Sequence, residues 1–269
     1  SVTTRGAGTV GGNIGLQAVN AGAISFTGGS VTTTSTNSAG VLAQSGGQVT
    51  LSGGTIVQTS GQTVLNAPLG SHGLHATGAN SAIQGTGIHV TASGIRSDGA
   101  LAELGGTVVL TSSTINATGA GATDLNPVAA LKVTDGSSLT FQGVGGSVTT
   151  NASRNYGLDA RGTGAVAHLS DATVTVGGTR SRGLSVFDGA VVDVARSTVL
   201  ANGLAFVGAE ASGNGSSLSL TDTTVSTTNA TAPGVRTLLG STASITGGTV
   251  STQGVNAAGL AASNATISA

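Results

Sequence analysis

The chain has no cysteine, methionine or tryptophan, only 3 prolines and 1 tyrosine, and charged residues fill only 7% of its 269 positions. Each shortage removes a class of protein. Without cysteine there is no disulfide scaffold and no thiolate metal site. Nothing would cross-link early in an oxidising periplasm either, which suits a protein that must pass an outer membrane before folding. Aromatics at 2% rule out a globular core built on large ring anchors. The apolar side chains are Val, Ile, Leu and Ala, which suit a thin core of stacked small residues. A formal net charge of −1 with no basic stripe argues against nucleic-acid binding. No run of about 18 apolar residues exists to form a membrane-spanning helix, and no basic segment leading into an apolar stretch opens the chain as a signal peptide would. The 46 glycines follow no collagen period, and the scarcity of proline speaks against a disordered linker.

What is present is an eight-residue pattern: apolar, any, apolar, any, two small turn residues, Thr or Ser, then Val or Ile. Copies are Ile24-Ser-Phe-Thr-Gly-Gly-Ser-Val31, Val49-Thr-Leu-Ser-Gly-Gly-Thr-Ile56, Val108-Val-Leu-Thr-Ser-Ser-Thr-Ile115, Ala167-His-Leu-Ser-Asp-Ala-Thr-Val174, Val192-Asp-Val-Ala-Arg-Ser-Thr-Val199, Leu218-Ser-Leu-Thr-Asp-Thr-Thr-Val225 and Ala243-Ser-Ile-Thr-Gly-Gly-Thr-Val250, with weaker ones ending at Ile88 and Val148. A period of about 25 to 33 residues marks stacked repeats, none of which can bury its apolar face alone. Between Gly183 and Ala201, three runs with period-two alternation, Leu184–Val186, Val192–Val194 and Thr198–Ala201, are separated by turn residues, which predicts three strands per coil. A Gly-[Leu/Val] pair opens the coils at Gly40, Gly73, Gly157, Gly183, Gly203, Gly234 and Gly259. The expectation is an all-β, right-handed parallel β-helix over 1–269, a single domain of about nine or ten coils. Parallel crossovers set the hand, and a strand spacing of about 4.8 Å sets a length of roughly 45 Å.

The spacing breaks at 57–72, around Pro68, at 116–130, around Pro127, and at Gly143-Val-Gly-Gly146. Insertions of this kind leave a solenoid as loops and often carry binding. No polar capping element follows the last copies, so the chain reads as a piece of a longer solenoid.

The run Gly183-Leu-Ser-Val-Phe-Asp-Gly-Ala-Val-Val-Asp-Val-Ala-Arg-Ser-Thr-Val199 resembles a coil of the pertactin-like autotransporter passenger domains, and Ala39–Ile56 is similar to another. The resemblance spans nearly all of residues 15–267. It implies a β-helix secreted to, and displayed on, a Gram-negative outer-membrane surface. It also implies a C-terminal membrane β-barrel in the same polypeptide, and a role as adhesin or stalk towards a host-cell receptor, matrix or glycan. Arg5-Gly-Ala7 and Arg161-Gly-Thr163 are not the Arg-Gly-Asp tripeptide linked to adhesion in that family, so no such motif carries over.

The residues themselves offer little catalysis. Asp171, Arg196 and Asp222 align at one turn position, and His168, Asp193 and Ser219 at one strand position. Outward ladders explain both better than a catalytic triad, which needs a buried orienting acid and an oxyanion hole. A carbohydrate-active β-helix needs clustered carboxylates, whereas the 10 acids here are scattered. His72 and His75 offer two imidazoles with no acid nearby in sequence, too few for a metal. An ice-binding solenoid would need a uniform outward Thr-x-Thr array, and Thr150 and Thr227 fall on the core side. No catalytic, cofactor or metal residue is therefore assigned. Arg154, Arg161, Arg180 and Arg182, near successive Gly-Leu starts, are expected to line one edge as a possible contact for acidic glycans.

Overall fold

A computed structural model describes residues 1–5, 12–64, 70–123, 127–202, 204 and 206–269. Among these residues the alternating runs become 28 strands, most of them short, and every pairing between them is parallel. The chain is an all-β parallel solenoid of about ten turns with no helix among the described residues. The representative coil consists of Arg182–Phe187, Val191–Ala195 and Thr198–Ala201, so each coil contributes one strand to each of three faces. The first face is a sheet of ten strands; the second and third merge into one sheet of eighteen. They merge because Ser138–Thr150 and Val166–Val176 run across both faces without a break.

Register shows what the repeat encodes. Val174, Val199 and Val225 sit one above another on the third face, and all three are buried. On the second face Val192 lies between Ala167 and Leu218, and Val194 between Leu169 and Leu220. On the first face Leu184 lies between Leu158 and Ala209. These rows form one continuous core. Each coil buries its apolar rows against two neighbours, the nearest-neighbour arrangement of a solenoid. Thr33, Thr59, Thr150 and Thr227 are buried in the inward row that closes the third-face strands.

The structure shifts two of the motif ends. In the second copy Val57, not Ile56, pairs with Val31, and Ile56 is 42% exposed. Three residues separate the paired strands there instead of two, and one extra residue flips every following side chain to the other face. In the weaker third copy Val90 takes the core row, beside Val57 and Ile115, while Ile88 is buried in the turn before it. The break at Gly143–Gly146 is a shift of register inside a strand, with Val144 turned to solvent.

Of the two insertions, residues 57–59 close the strand Ile56–Thr59 and residues 128–130 open the strand Val128–Thr134. The extra chain therefore lies between them and the neighbouring strands. Pro68, Gly203, Gly6 and Ala7 lie outside the described residues.

Candidate functional site

The first face carries the densest chemistry. In a strand, alternate side chains point to opposite sides, so with Leu184 and Val186 inward, Ser185 points outward. Its register partners Asp159 and Glu210 do the same, and Arg236 follows Glu210. Outward positions of a sheet normally meet water, yet Asp159, Ser185 and Glu210 are buried. Arginine and aromatic side chains lie over them. Arg161 Nε donates to both oxygens of Asp159 (2.9 and 2.8 Å), and its guanidinium stacks 4.9 Å from the Phe187 ring. Arg182 lies 4.9 Å from the Tyr156 ring and 5.2 Å from that of Phe187. It donates to the Tyr156 hydroxyl and faces Glu210 Oε1 at 3.5 Å. Arg236 donates to Glu210 Oε2 through Nε and Nη2 and lies 4.8 Å from the Phe206 ring.

Three of the five aromatic residues in the chain thus meet three of its eight arginines on one face. Two carboxylates face three guanidiniums, Asp159 pairing Arg161 while Glu210 is shared by Arg182 and Arg236, and cation–π contact is strongest where water is excluded. The expected arginine edge is consequently divided. Arg161 and Arg182 belong to this paired layer. Arg154 and Arg180 occupy a turn column with Asn37 and Arg96, all with positive φ. The backbone N–H of Arg154 donates to Thr179 O, and that of Arg180 to Leu204 O, one coil on.

A second cluster is a correction to the sequence reading. His72 and His75 do have acids beside them, because one coil returns the chain after 26 to 28 residues. His75 Nε2 lies 2.8 Å from Glu103 Oε1. The Asp98 N–H donates to His72 Nδ1 (3.0 Å), Ala129 N–H donates to Asp98 Oδ1 (2.8 Å), and Lys132 Nζ stands 3.5 Å from Asp98 Oδ2. The two imidazoles meet edge to face at 5.1 Å. Among the described residues no group of three or more His, Cys, Asp or Glu is arranged to hold a metal.

The cluster makes stability depend on pH. Burial holds the His75 imidazole below its ordinary value of 6.5, with the Glu103 contact opposing it. The hydrogen bond from His75 leads in holding Glu103 below 4.5. At Asp98 burial pushes upward, but Lys132 and then His72 outweigh it and hold the carboxyl below 3.8. For a depressed histidine, the unfolded chain takes up a proton below 6.5 while the native state does not, so stability falls as pH drops through 6.5. For the depressed carboxylates, stability is present above 4.5 and 3.8 and is lost below them. All three act in one direction. The melting temperature is expected to be level above neutrality and to fall in two acid steps, with His75→Gln removing the upper one. A melting curve unchanged down to the carboxylate range would contradict the assignment.

The exposed columns are modest. Arg196 donates to both oxygens of Asp171 (2.8 and 2.7 Å), and His168 Nδ1 stands 3.2 Å from Asp193 Oδ2 on the open second face. Exposed pairs of this kind are screened by water and add little to stability. On the third face Thr173 and Thr175 flank Val174, and Thr224 and Ser226 flank Val225, giving outward hydroxyl rows. Ile56, His89 and Leu200 interrupt those rows. Comparison with protein-family models, with curated proteins and with solved structures finds no match to this chain.

Proposed function

We propose that the chain is part of a surface-displayed passenger of the autotransporter kind, acting as an adhesin or a structural stalk on a Gram-negative cell. Its contact would be a host receptor, matrix or glycan, and a membrane β-barrel in the same polypeptide would anchor it. The observation that carries this reading is the coil Gly183–Val199: its Gly-Leu start, Asp-Gly-Ala turn and Ser-Thr-Val end resemble passenger coils, and its strands stack in register with both neighbours. A solenoid of about ten parallel turns without cysteine suits passage through a membrane followed by folding outside. Winding would be right-handed by the crossover rule. No catalysis belongs to the proposal, since the exposed His168–Asp193 pair lacks a buried orienting acid.

Insertions can vary without disturbing the core, so binding is placed there and at the Arg154–Arg180 turn column. Shortening segments 62–69 and 119–126 to the turn length of other coils, and replacing Arg154 and Arg180 with Ala, is expected to reduce attachment to host cells. The arginine share should weaken as salt rises. Arg161 and Arg182 are left intact in this test because Arg161 pairs with the buried Asp159 and Arg182 with the buried Glu210, so removing either would disturb the first face as well as the edge. Attachment that survives all these changes would make the rod a spacer and move binding elsewhere.

A further inference from the structure

The arginine–aromatic layer of the first face is not balanced from end to end. At the Arg161 end one carboxylate serves one guanidinium, and Asp188 adds a second negative charge nearby. At the Phe206 end a single carboxylate, Glu210, serves both Arg182 and Arg236. One positive charge is therefore in surplus there, and it lies on the outside. The Glu210 side chain is 2% exposed, whereas those of Arg182 and Arg236 are 14% and 20% exposed. What reaches solvent is guanidinium, with its counter-charge buried beneath.

Phe206 lies against both of these cations. Its ring centre is 5.9 Å from the Arg182 guanidinium carbon and 4.8 Å from that of Arg236. At 46% it is the one exposed ring among the five aromatic residues. Phe141 and Tyr156 are fully buried, and Phe26 and Phe187 are half-buried. Arg236 keeps a donor in reserve. Its Nε and Nη2 are used on Glu210 Oε2, while its Nη1 makes no hydrogen bond among the described residues. The next residue of the outward row is Ala261, whose side chain is too short to cover that guanidinium. An apolar plate and a positive field are thus presented to solvent at one spot.

We infer that this end of the layer is a subsite for one anionic ring of an acidic glycan, with the ring's C–H face on Phe206 and its carboxylate or sulfate on Arg236 and Arg182. Hydrogen bonds from guanidinium to an anion are charge-assisted, and the planar fork donates to two oxygens at once. Binding sites commonly join an aromatic surface to a few convergent polar groups. A neutral sugar would gain the plate but not the field. An acidic peptide would gain the field, but an aspartate or glutamate side chain has no flat face to lay on the ring. With one exposed plate and one surplus charge the affinity of a single ring is weak, and repetition along a glycan or across many displayed copies raises it. The inference goes beyond the adhesin proposal, which places binding at the insertions and the Arg154–Arg180 column, and needs that proposal only for its biological use.

The test is an amide NMR titration of the ¹⁵N-labelled 269-residue chain. The probes are methyl glucuronide and a glucose monosulfate as anionic rings, methyl glucoside as a neutral ring, and N-acetylglutamate as an anion without a ring. At least one anionic ring is expected to give saturable shifts centred on Arg182, Phe206 and Arg236 that weaken as salt rises. Methyl glucoside and N-acetylglutamate should each bind about tenfold more weakly or not at all. Phe206→Leu keeps an apolar side chain and removes the plate, while Arg236→Lys keeps a charge beside Glu210 and removes the fork. Each should keep the wild-type amide spectrum away from the site and bind the anionic ring about tenfold more weakly. Should Arg236→Lys disturb the fold around Glu210, Phe206→Leu, which touches no buried carboxylate, decides alone.

No saturable shift with either anionic ring would overturn the subsite. Equal binding of methyl glucoside or of N-acetylglutamate, shifts centred on Arg154 and Arg180 instead, or unchanged affinity in Phe206→Leu would overturn it equally. Cell attachment measured in parallel separates the two proposals. Attachment without a response to either anionic ring removes the subsite and keeps the adhesin, whereas a response without attachment does the reverse.

Discussion

Val199→Asp is expected to destabilise the solenoid by about 4 kcal/mol or more, enough to unfold the coils around it. Val199 is fully buried in the third-face row between Val174 and Val225. A carboxylate there either stays ionised without a partner or takes up a proton and still lacks one; either state is costly in a thin apolar core. Each coil leans on its neighbours, so the loss should spread along the rod rather than remain local. Urea denaturation followed by circular dichroism measures the change, and hydrogen exchange should show protection lost first in the strands holding Val174, Val199 and Val225. Val191→Asp is the control. Val191 belongs to an outward row at 36% exposure, and its replacement should stay within about 0.5 kcal/mol. A Val199→Asp variant that melts with the wild type would remove the inward placement of the whole row.

Gly183→Ala should cost about 3 kcal/mol, the upper end for overpacking. An added Cβ would stand 2.3 Å from the carbonyl oxygen of Gly208 and 2.5 Å from a methyl of Val199. A backbone oxygen in a parallel ladder cannot retreat without straining the ladder, so the clash has no cheap outlet. Gly183 is therefore needed for space and not for positive φ, which distinguishes it from the glycines in the corners. Gly259 opens the last coil of this chain and has nothing within 4 Å of the same Cβ position. Gly259→Ala should be neutral or stabilise by about 0.4–1 kcal/mol through the unfolded state. Thermal melts of the two variants side by side decide the point. Equal effects would show that close approach between coils is not what selects glycine at the coil start.

How far a residue's role was legible depended on whether it is written locally. Leu184, Val192, Val194 and Val199 announce themselves by alternation within a few residues, and the structure places each in the core. The strand Thr198–Ala201 has the bounds its pattern suggests. Ile56 shows where local pattern fails. Its motif matches the first copy letter for letter in kind, but one more residue in the turn hands the core position to Val57. Hydrophobicity could not choose between two adjacent β-branched residues, whereas pairing with Val31 could.

The candidate sites were less legible, because their members are neighbours across coils and not along the chain. His72 meets Asp98 and His75 meets Glu103 only after a full coil. Arg182 reaches Tyr156 and Glu210 in opposite directions along the axis. The signal was present in principle: Tyr156 and Arg182 share a register position, as do Asp159, Ser185, Glu210 and Arg236. Finding it requires the coil alignment to be carried from the apolar rows to the polar ones.

The sequence by itself determined the period, the alternation and the scarcity of large rings for a core, and these leave a parallel solenoid as the way to bury each coil. Only the tertiary structure decided which charges are paired and which glycine is crowded. Those properties depend on distances of a few ångströms between residues about one coil apart, and the length of every intervening turn enters that distance.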